Sequence, residues 1–355
     1  MAYPANDRVP ASIIVANYNY AHFLNRCIDS ALGQDYRNVE VVVVDDASSD
    51  DSVEVIRSYG SRIISHLKRS NGGHAAAFNA GFAASSGEIV FFLDADDYLY
   101  PNAVSQVIEA WDAGTTQAQF RLHLVDKDRI VLDTYPPPEL PFDDGDVLPQ
   151  LLRCGRYRTT VTSGLAFDRA TLRSILPIPE APFRQGADGY LATVAPVYGE
   201  VTSIDTCLGA YCQHDTNHSA FGERLGERAR WRIEHDFHRL AALSQRAAEA
   251  GLALPDDACM HDPTHLEERL ASLCMERSRH PVDGDSRLRL GTAGAAASLE
   301  MKASLRRRAM LAAWFLAVGM LPRRPARNVL SWKLAAASRP AFLARLSKGI
   351  RRAVG

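Results

Sequence analysis

The sequence lacks what a membrane-spanning, secreted or metal-stapled protein would need. No apolar run reaches the roughly 18 residues of a spanning helix. The longest, AMLAAWFLAVGML at 309–321, has 13. The opening MAYPANDRVP has no apolar centre, so no secretion leader is expected. The 6 cysteines form no CxxC pair and no zinc-like spacing, and they read as reduced cytosolic thiols. No motif for reading bases accompanies the acidic body, so nucleic acid is not an expected partner. The most local absence lies at the C-terminus. Residues 301–355 hold 13 Lys+Arg and no Asp or Glu, leaving 27 basic against 42 acidic side chains in the first 300. That is an acidic body with a basic tail.

What is present is an ordinary globular composition, 46% hydrophobic and 23% charged in 355 residues, enough to bury a core without staples. ASIIVANYNY (11–20) reads as a buried strand breaking at Asn17-Tyr18-Asn19. Residues 21–34 carry Phe23, Leu24, Ile28 and Leu32 at helical spacing, with Gly33 at the stop. A strand ending in acids (39–50), a helix (51–60), a strand (62–68), a small-residue helix (73–85) and a strand (88–94) follow. This βαβ series predicts a parallel sheet covered on both faces, with ligands bound beyond the carboxyl ends of its strands. Those ends carry Asn17–Asn19, Asp45 and Asp46, and Asp94–Asp97. After Pro101 the pattern predicts a helix (102–112), an antiparallel pair around the Asp126–Arg129 turn, and a Pro-rich loop (135–146). A strand (160–168), a helix (169–176), a loop running into a helix (183–195), and strands with a loop (198–220) complete it. From Glu223 onward nearly everything reads as helix.

FFLDADDYLYP (91–101) ends a buried strand in three acids. A helix N-cap accounts for one of them, for which Asp97 is the candidate. Three carboxylates beside a second acidic strand end raise one another's pKa unless a cation sits among them. Mn²⁺ and Mg²⁺ suit such oxygen donors and are often held by one or two carboxylates plus substrate phosphates.

SIIVANYNYAHFLNRCIDSALGQ, EVVVVDDASSDDS and NGGHAAAFNAGFAASSGEIVFFLDADDYLYP together resemble the family 2 glycosyltransferases of the GT-A fold. The resemblance covers roughly residues 10–220. It implies an α/β fold: a Rossmann-like mixed sheet flanked by helices, here with a C-terminal helical extension. It implies a GT-A domain over 1–222, with a nucleotide-binding half (10–112) and an acceptor half (113–222), followed by a helical region (223–355). It implies a metal-dependent, inverting transfer of sugar from a nucleoside-diphosphate donor, UDP-sugar by default, to a glycan or lipid-linked acceptor in cell-surface polysaccharide synthesis.

By the same resemblance, Ala16, Asn17 and Tyr18 lie against the nucleotide base, and Asp45 or Asp46 accepts a hydrogen bond from it. Asn71, Gly72 and Asn79 belong to the donor-binding segment. Asp94 and Ala95 lie near the ribose or sugar. Asp96, with Asp94 and His214, holds Mn²⁺ or Mg²⁺ on the diphosphate. Asp188, in FRQGADGYLA, is the catalytic base; capping of the following helix is its alternative role. His218 is a weaker candidate than His214 in the same stretch.

Two positions depart from the family pattern. Phe78 and Cys212 stand where relatives carry arginines, and Lys68, Arg69 or His74 are candidates to replace the charge. These departures keep a non-catalytic nucleotide-sugar or glycan-binding module in play. A nucleotidyltransferase is the other rival, although VANYNYAHF has neither its glycine-rich loop nor its basic residue. In the tail, residues 303–321 and AFLARLSKGIRR (341–352) set arginines beside an apolar face. That pattern predicts a helix lying on a membrane surface, here the cytoplasmic face of the inner membrane.

Overall fold

The structure, a computed structural model, describes residues 9–214 and 224–334. The chain opens with β1 (Ala11–Asn17), α1 (Ala21–Leu32), β2 (Val39–Asp45), α2 (Ser52–Ser58), β3 (Ile64–Leu67), α3 (His74–Ala84) and β4 (Ile89–Asp94). It continues with β5 (Tyr98–Leu99), α4 (Ala103–Glu109), β6 (Thr115–Val125), β7 (Val131–Tyr135), α5 (Leu148–Cys154) and β8 (Leu165–Asp168). Then come α6 (Arg169–Ile175), α7 (Ala187–Val194) and β9 (Glu200–Cys212). The remaining described helices are α8 (Leu225–Glu249), α9 (Pro263–Met275), α10 (Arg287–Glu300), α11 (Leu305–Met320) and α12 (Arg323–Leu334).

The strands form one mixed sheet in the order β3-β2-β1-β4-β8-β6-β9-β5, with β7 paired to β6. The first four are parallel, as the βαβ series predicts, and β8 joins β4 antiparallel. Side chains alternate across the sheet, so β1 and β4 feed two cores at once. Ile13, Val15, Phe91 and Leu93 pack with Leu24 and Ile28 of α1. Ile14, Val90 and Phe92 face the other way, onto Phe78 of α3 and Phe167. The small residues of α3 serve that second core. A Cβ on Gly81 would overlap Ile14 and crowd Val44, so the helix lies close on β1 and β2 only because it has none.

Register does the rest. Asn17 stands opposite Asp45, and Ala16 stands opposite Asp94. The polar ends of three parallel strands therefore finish on one edge of the sheet. β9, paired with β6 and β5, brings its last residue, Cys212, to the turn that follows β4.

Several boundaries differ from expectation. β6 begins at Thr115, because its polar start is buried: Gln117 Nε2 donates to the Tyr157 hydroxyl at 2.7 Å and Gln119 Nε2 to the Asp143 carbonyl at 2.8 Å. The strand expected over 160–168 is shorter, with a 3-10 turn at Thr162–Gly164 before β8. Residues 9–152, 156–214 and 241–253 form one compact unit, and 153–155, 224–240 and 254–334 form a second. The single division expected at 222 is thus crossed by two segments, 153–155 and 241–253.

The second unit is helical around Leu266, Leu270, Leu290, Phe315, Val318 and Leu330. Within it α10 meets α11 where a Cβ on Gly291 would come within 2.9 Å of the Gly319 Cα. His265 is buried there, with Nδ1 3.0 Å from Asp236 Oδ2. Burial works against its imidazolium, but the hydrogen bond to Asp236 and the Cys259 sulfur raise its pKa to about 9. A pKa raised on folding adds stability that is complete below the unfolded value, about 6.5, and is lost as pH rises through about 9. The expected size is on the order of 3 kcal/mol. The unfolding temperature of the wild type should fall between pH 6.5 and 9.5 more than that of His265→Gln. Parallel pH profiles for the two proteins would remove His265 from the account.

Candidate active site

The edge shared by β1, β2 and β4 is built of interlocked polar groups. Asn17 Nδ2 donates to Asp45 Oδ1 at 2.8 Å, and Ser48 donates through its hydroxyl (2.6 Å) and its N–H (2.9 Å) to the same carboxylate. Asn19, at φ 59°, ties the loop after β1 to the loop after β2: its N–H donates to Ser48 Oγ at 2.9 Å and its Oδ1 accepts from Ser49 N–H at 2.7 Å. Between these anchors Tyr18 stands out, 46% exposed at the strand end. Ala16 is only partly buried, whereas Ala95 points its methyl into the core beneath the site.

Asp46 is engaged differently. Its carboxylate takes the Lys68 ammonium and the N–H groups of Gly72 (3.0 Å) and Gly73 (2.6 Å). It therefore shapes the loop leading into α3. Gly73 has φ 86°, and a Cβ there would collide with the Arg184 carbonyl, so this backbone arrangement requires glycine. Asn71 accepts from Arg184 on the same loop. Asn79 is engaged within the fold. Its amide bonds the backbone of Ile178, donating at 2.9 Å and accepting at 2.8 Å, so it clamps the loop before α7.

The three acids after β4 divide their roles. Asp97 is fully buried and accepts from Ser163 Oγ at 2.5 Å and Cys212 N–H at 2.8 Å. It caps no helix; α4 starts behind Asn102. Burial and the charges of Asp96 and Asp94 push its carboxyl well above the usual range. Asp96 Oδ2 lies 3.0 Å from His214 Nε2, whose ring stacks on Phe23. Burial raises the Asp96 carboxyl, the His214 hydrogen bond pulls it down, and Asp94 pushes it up again; the net direction is upward. Asp94 keeps about a third of its side chain exposed and has Oδ1 3.1 Å from His74 Nε2.

His74 opens α3 and links the acidic end of β4 to α7. Ala187 N–H donates to its Nδ1 at 3.4 Å, while its Nε2 lies 3.1 Å from Asp94 Oδ1. Burial opposes its charge, but Asp94, Asp188 and Asp96 outweigh that and raise its pKa. Asp188 itself is partly exposed in the first turn of α7, behind Gly186 at φ 72°, and no side chain caps that helix.

The two departures from the family pattern now have physical content. Phe78 is fully buried and stacks on Phe92 at 4.2 Å, where a guanidinium would be stranded; His74, one turn earlier, meets Asp94 instead. Lys68 goes to Asp46. At Cys212 the cation comes from α1: Arg26 Nη2 donates to Cys212 Sγ at 3.0 Å and to the Asp96 carbonyl at 3.1 Å. Arg26, Ser48 and Ser163 were not singled out by the sequence reading, because each is an ordinary helix or loop residue until the fold places it. His218 lies outside the described residues.

A divalent cation suits this arrangement. The donors are hard carboxylate oxygens and one imidazole, and the acids after β4 raise one another's pKa, as carboxylates do when crowded without a cation among them. Among the described residues no three His, Cys, Asp or Glu side chains close a metal site by themselves. Asp96, Asp94 and His214 would supply part of a coordination sphere and diphosphate oxygens the remainder, the usual manner for Mg²⁺.

Residues 12–152 match the family described as Glycosyl transferase family 2. An uncharacterized glycosyltransferase of Nostoc sp. is 34% identical over 212 residues, 58% of this chain and 65% of the relative. Over these residues the chain is similar to glycosyl transferase family 2. Another family relative is the UDP-Glc:alpha-D-GlcNAc-diphosphoundecaprenol beta-1,3-glucosyltransferase WfaP of Escherichia coli. It is 29% identical over 166 residues, 46% of this chain and 62% of that protein. The chain thus spans somewhat less than two thirds of the length of these curated relatives. The crystal structure of S. aureus TarS 1-349 in complex with UDP superposes with a TM-score of 0.50 at 17% identity, covering 91% of each chain. That likeness bears out the expected GT-A fold, with its C-terminal helices.

Proposed function

We propose that the protein transfers a sugar from a nucleoside-diphosphate sugar, with UDP as the nucleotide, to a glycan or lipid-linked acceptor in cell-surface polysaccharide synthesis, with inversion and with Mn²⁺ or Mg²⁺. The observation that carries this is the joining of the two halves of such a site through one side chain. His74 touches Asp94 on the donor edge and the start of the helix that bears Asp188. The E. coli relative, by its name, uses UDP-Glc and a diphosphoundecaprenol-linked acceptor, which supports the same classes here.

In this reading Tyr18 lies against the base, while Asn17 and Ser48 orient Asp45 beside it. Asp94 meets the sugar or ribose. A cation held by Asp96, Asp94 and His214 would offset charge on the departing diphosphate. Asp188 accepts the acceptor hydroxyl's proton as that oxygen bonds to the anomeric carbon and the diphosphate leaves with the electrons of the broken C–O bond. Incubation with UDP-, GDP- and TDP-sugars and a polyprenyl-diphosphate-linked glycan tests the proposal. Lengthening of the glycan by one sugar supports it; no transfer from any donor counts against it.

The reading extends to the cytoplasmic membrane surface, where such an acceptor resides. No described helix is long and apolar enough to cross a membrane. α11 buries Phe315 and Val318 on one side and exposes Leu305 (80%), Leu316 and Met320 (67%) on the other, with Arg306, Arg323 and Arg324 also exposed. The tail is therefore core on one face and suited to anionic lipid on the other; residues 341–352 lie outside the described part. Replacing Leu305, Leu316 and Met320 with Glu should lower co-sedimentation with anionic vesicles at least about tenfold, since each charge near the surface counts for about 1 kcal/mol. Unchanged co-sedimentation would remove this face from the proposal.

A further inference from the structure

Position 212 has no charge, yet a guanidinium occupies its surroundings. Arg26 reaches from α1, 186 residues away in sequence, and its Nη2 bridges Cys212 Sγ and the Asp96 carbonyl. Its plane lies over the ring of Tyr98, with Cζ 4.7 Å from the centroid, and 5.5 Å from that of Phe23. The same Phe23 ring stacks on His214. Arg26 Nε is buried without a hydrogen-bond partner among the described residues. Such a cost persists where the rest of the group is held for a reason.

The two polar contacts of Arg26 fall on the two segments that must meet to form the metal-binding half of the site. Asp96 belongs to the turn after β4, and Cys212 ends β9 two residues before His214. Aromatic rings on both sides fix the guanidinium, and a fixed fork loses less entropy per hydrogen bond than a free side chain. A single positive charge thus ties together two segments that carry or adjoin Asp96, Asp97 and His214.

We infer that Arg26 is a positioning residue of the donor site. It holds the Asp96 turn against the end of β9, so that Asp96 and His214 face the same diphosphate, and it supplies from α1 the positive charge that Cys212 does not. The inference rests on the reading of the strand-end carboxylates as a nucleoside-diphosphate site.

The test is calorimetric titration of the whole protein with UDP, with and without Mn²⁺, on the wild type, Arg26→Ala, Arg26→Lys and the double variant Arg26→Ala/Cys212→Arg. Unfolding temperatures are recorded in parallel. Arg26→Ala should weaken UDP binding in Mn²⁺ by roughly 10–100-fold, the usual cost of losing an outer-shell partner. Arg26→Lys should fall between, since it keeps the charge but not the fork. The double variant should recover much of the loss, because Cys212→Arg returns a cation to the vacated space. Wild-type affinity in Arg26→Ala would overturn the inference. So would a loss that follows the unfolding temperature in all three variants and is not recovered in the double. Absence of UDP binding by the wild type would instead overturn the donor-site reading beneath it.

Discussion

Asp188→Asn is expected to reduce sugar transfer by about 10²–10⁴-fold or more, the range lost with a general base, while UDP binds in Mn²⁺ as in the wild type. The substitution is isosteric and removes the carboxylate's charge together with its ability to take a proton. Asp188 sits one residue into α7, and the preceding residue is fixed by its N–H on His74 Nδ1. The helix starts at Gly186 without a side-chain cap, so a capping loss does not confound the result. The change does remove an acid from the first turn, at a cost of about 0.3–1 kcal/mol through the helix dipole. Full activity in Asp188→Asn would take the residue out of the mechanism. Loss of UDP binding together with a lower unfolding temperature would assign it a structural role.

The second large effect is expected at Asp96. Asp96→Asn should weaken Mn²⁺-dependent UDP binding beyond the roughly 10–100-fold typical of outer-shell partners, because a direct ligand is lost. Stability should not fall with it. The Asp96 carboxylate is buried, and its neighbour Asp94 repels it, so neutralising it relieves a cost even as the His214 contact weakens. The expected signature is lost metal-dependent binding with an unfolding temperature equal to or above that of the wild type. Asp97→Asn should instead keep Mn²⁺-dependent UDP binding, because that carboxyl joins Ser163 and Cys212 N–H inside the fold. If Asp96→Asn unfolds more easily and still binds UDP with Mn²⁺, the assignment of Asp96 as a ligand is wrong.

The first half of the fold was legible because its strands are uninterrupted apolar runs that break at polar or acidic residues. A strand buried on both faces must read that way. The antiparallel half was less legible. Thr115–Gln119 looks like a loop by composition, and only the partners of Gln117 and Gln119 make it a buried strand. β5 has 2 residues and carries no periodicity at all.

The site shows the same division. Asp94 and Asp96 could be named because acids at a strand end stand out against an apolar background, and Asp188 because its segment resembles the family's. Asp46 and Asn79 carry equally polar side chains, yet the fold spends them on Gly72, Gly73 and Ile178. Arg26 shows the converse. On α1 it reads as one more charged residue of an amphipathic helix, and only the arrival of β9 gives it a partner. Sequence marks groups that break a local pattern; it does not mark those whose meaning depends on a distant segment.

The central claim is that the ends of β1, β2 and β4 form a nucleoside-diphosphate site completed by a metal. Titration of the purified protein with UDP, GDP, TDP and CMP, each with and without Mn²⁺, tests it most directly. The account predicts that UDP binds and raises the unfolding temperature only when Mn²⁺ is present, with the other nucleotides weaker. No response to any nucleotide, or binding indifferent to Mn²⁺, would contradict it.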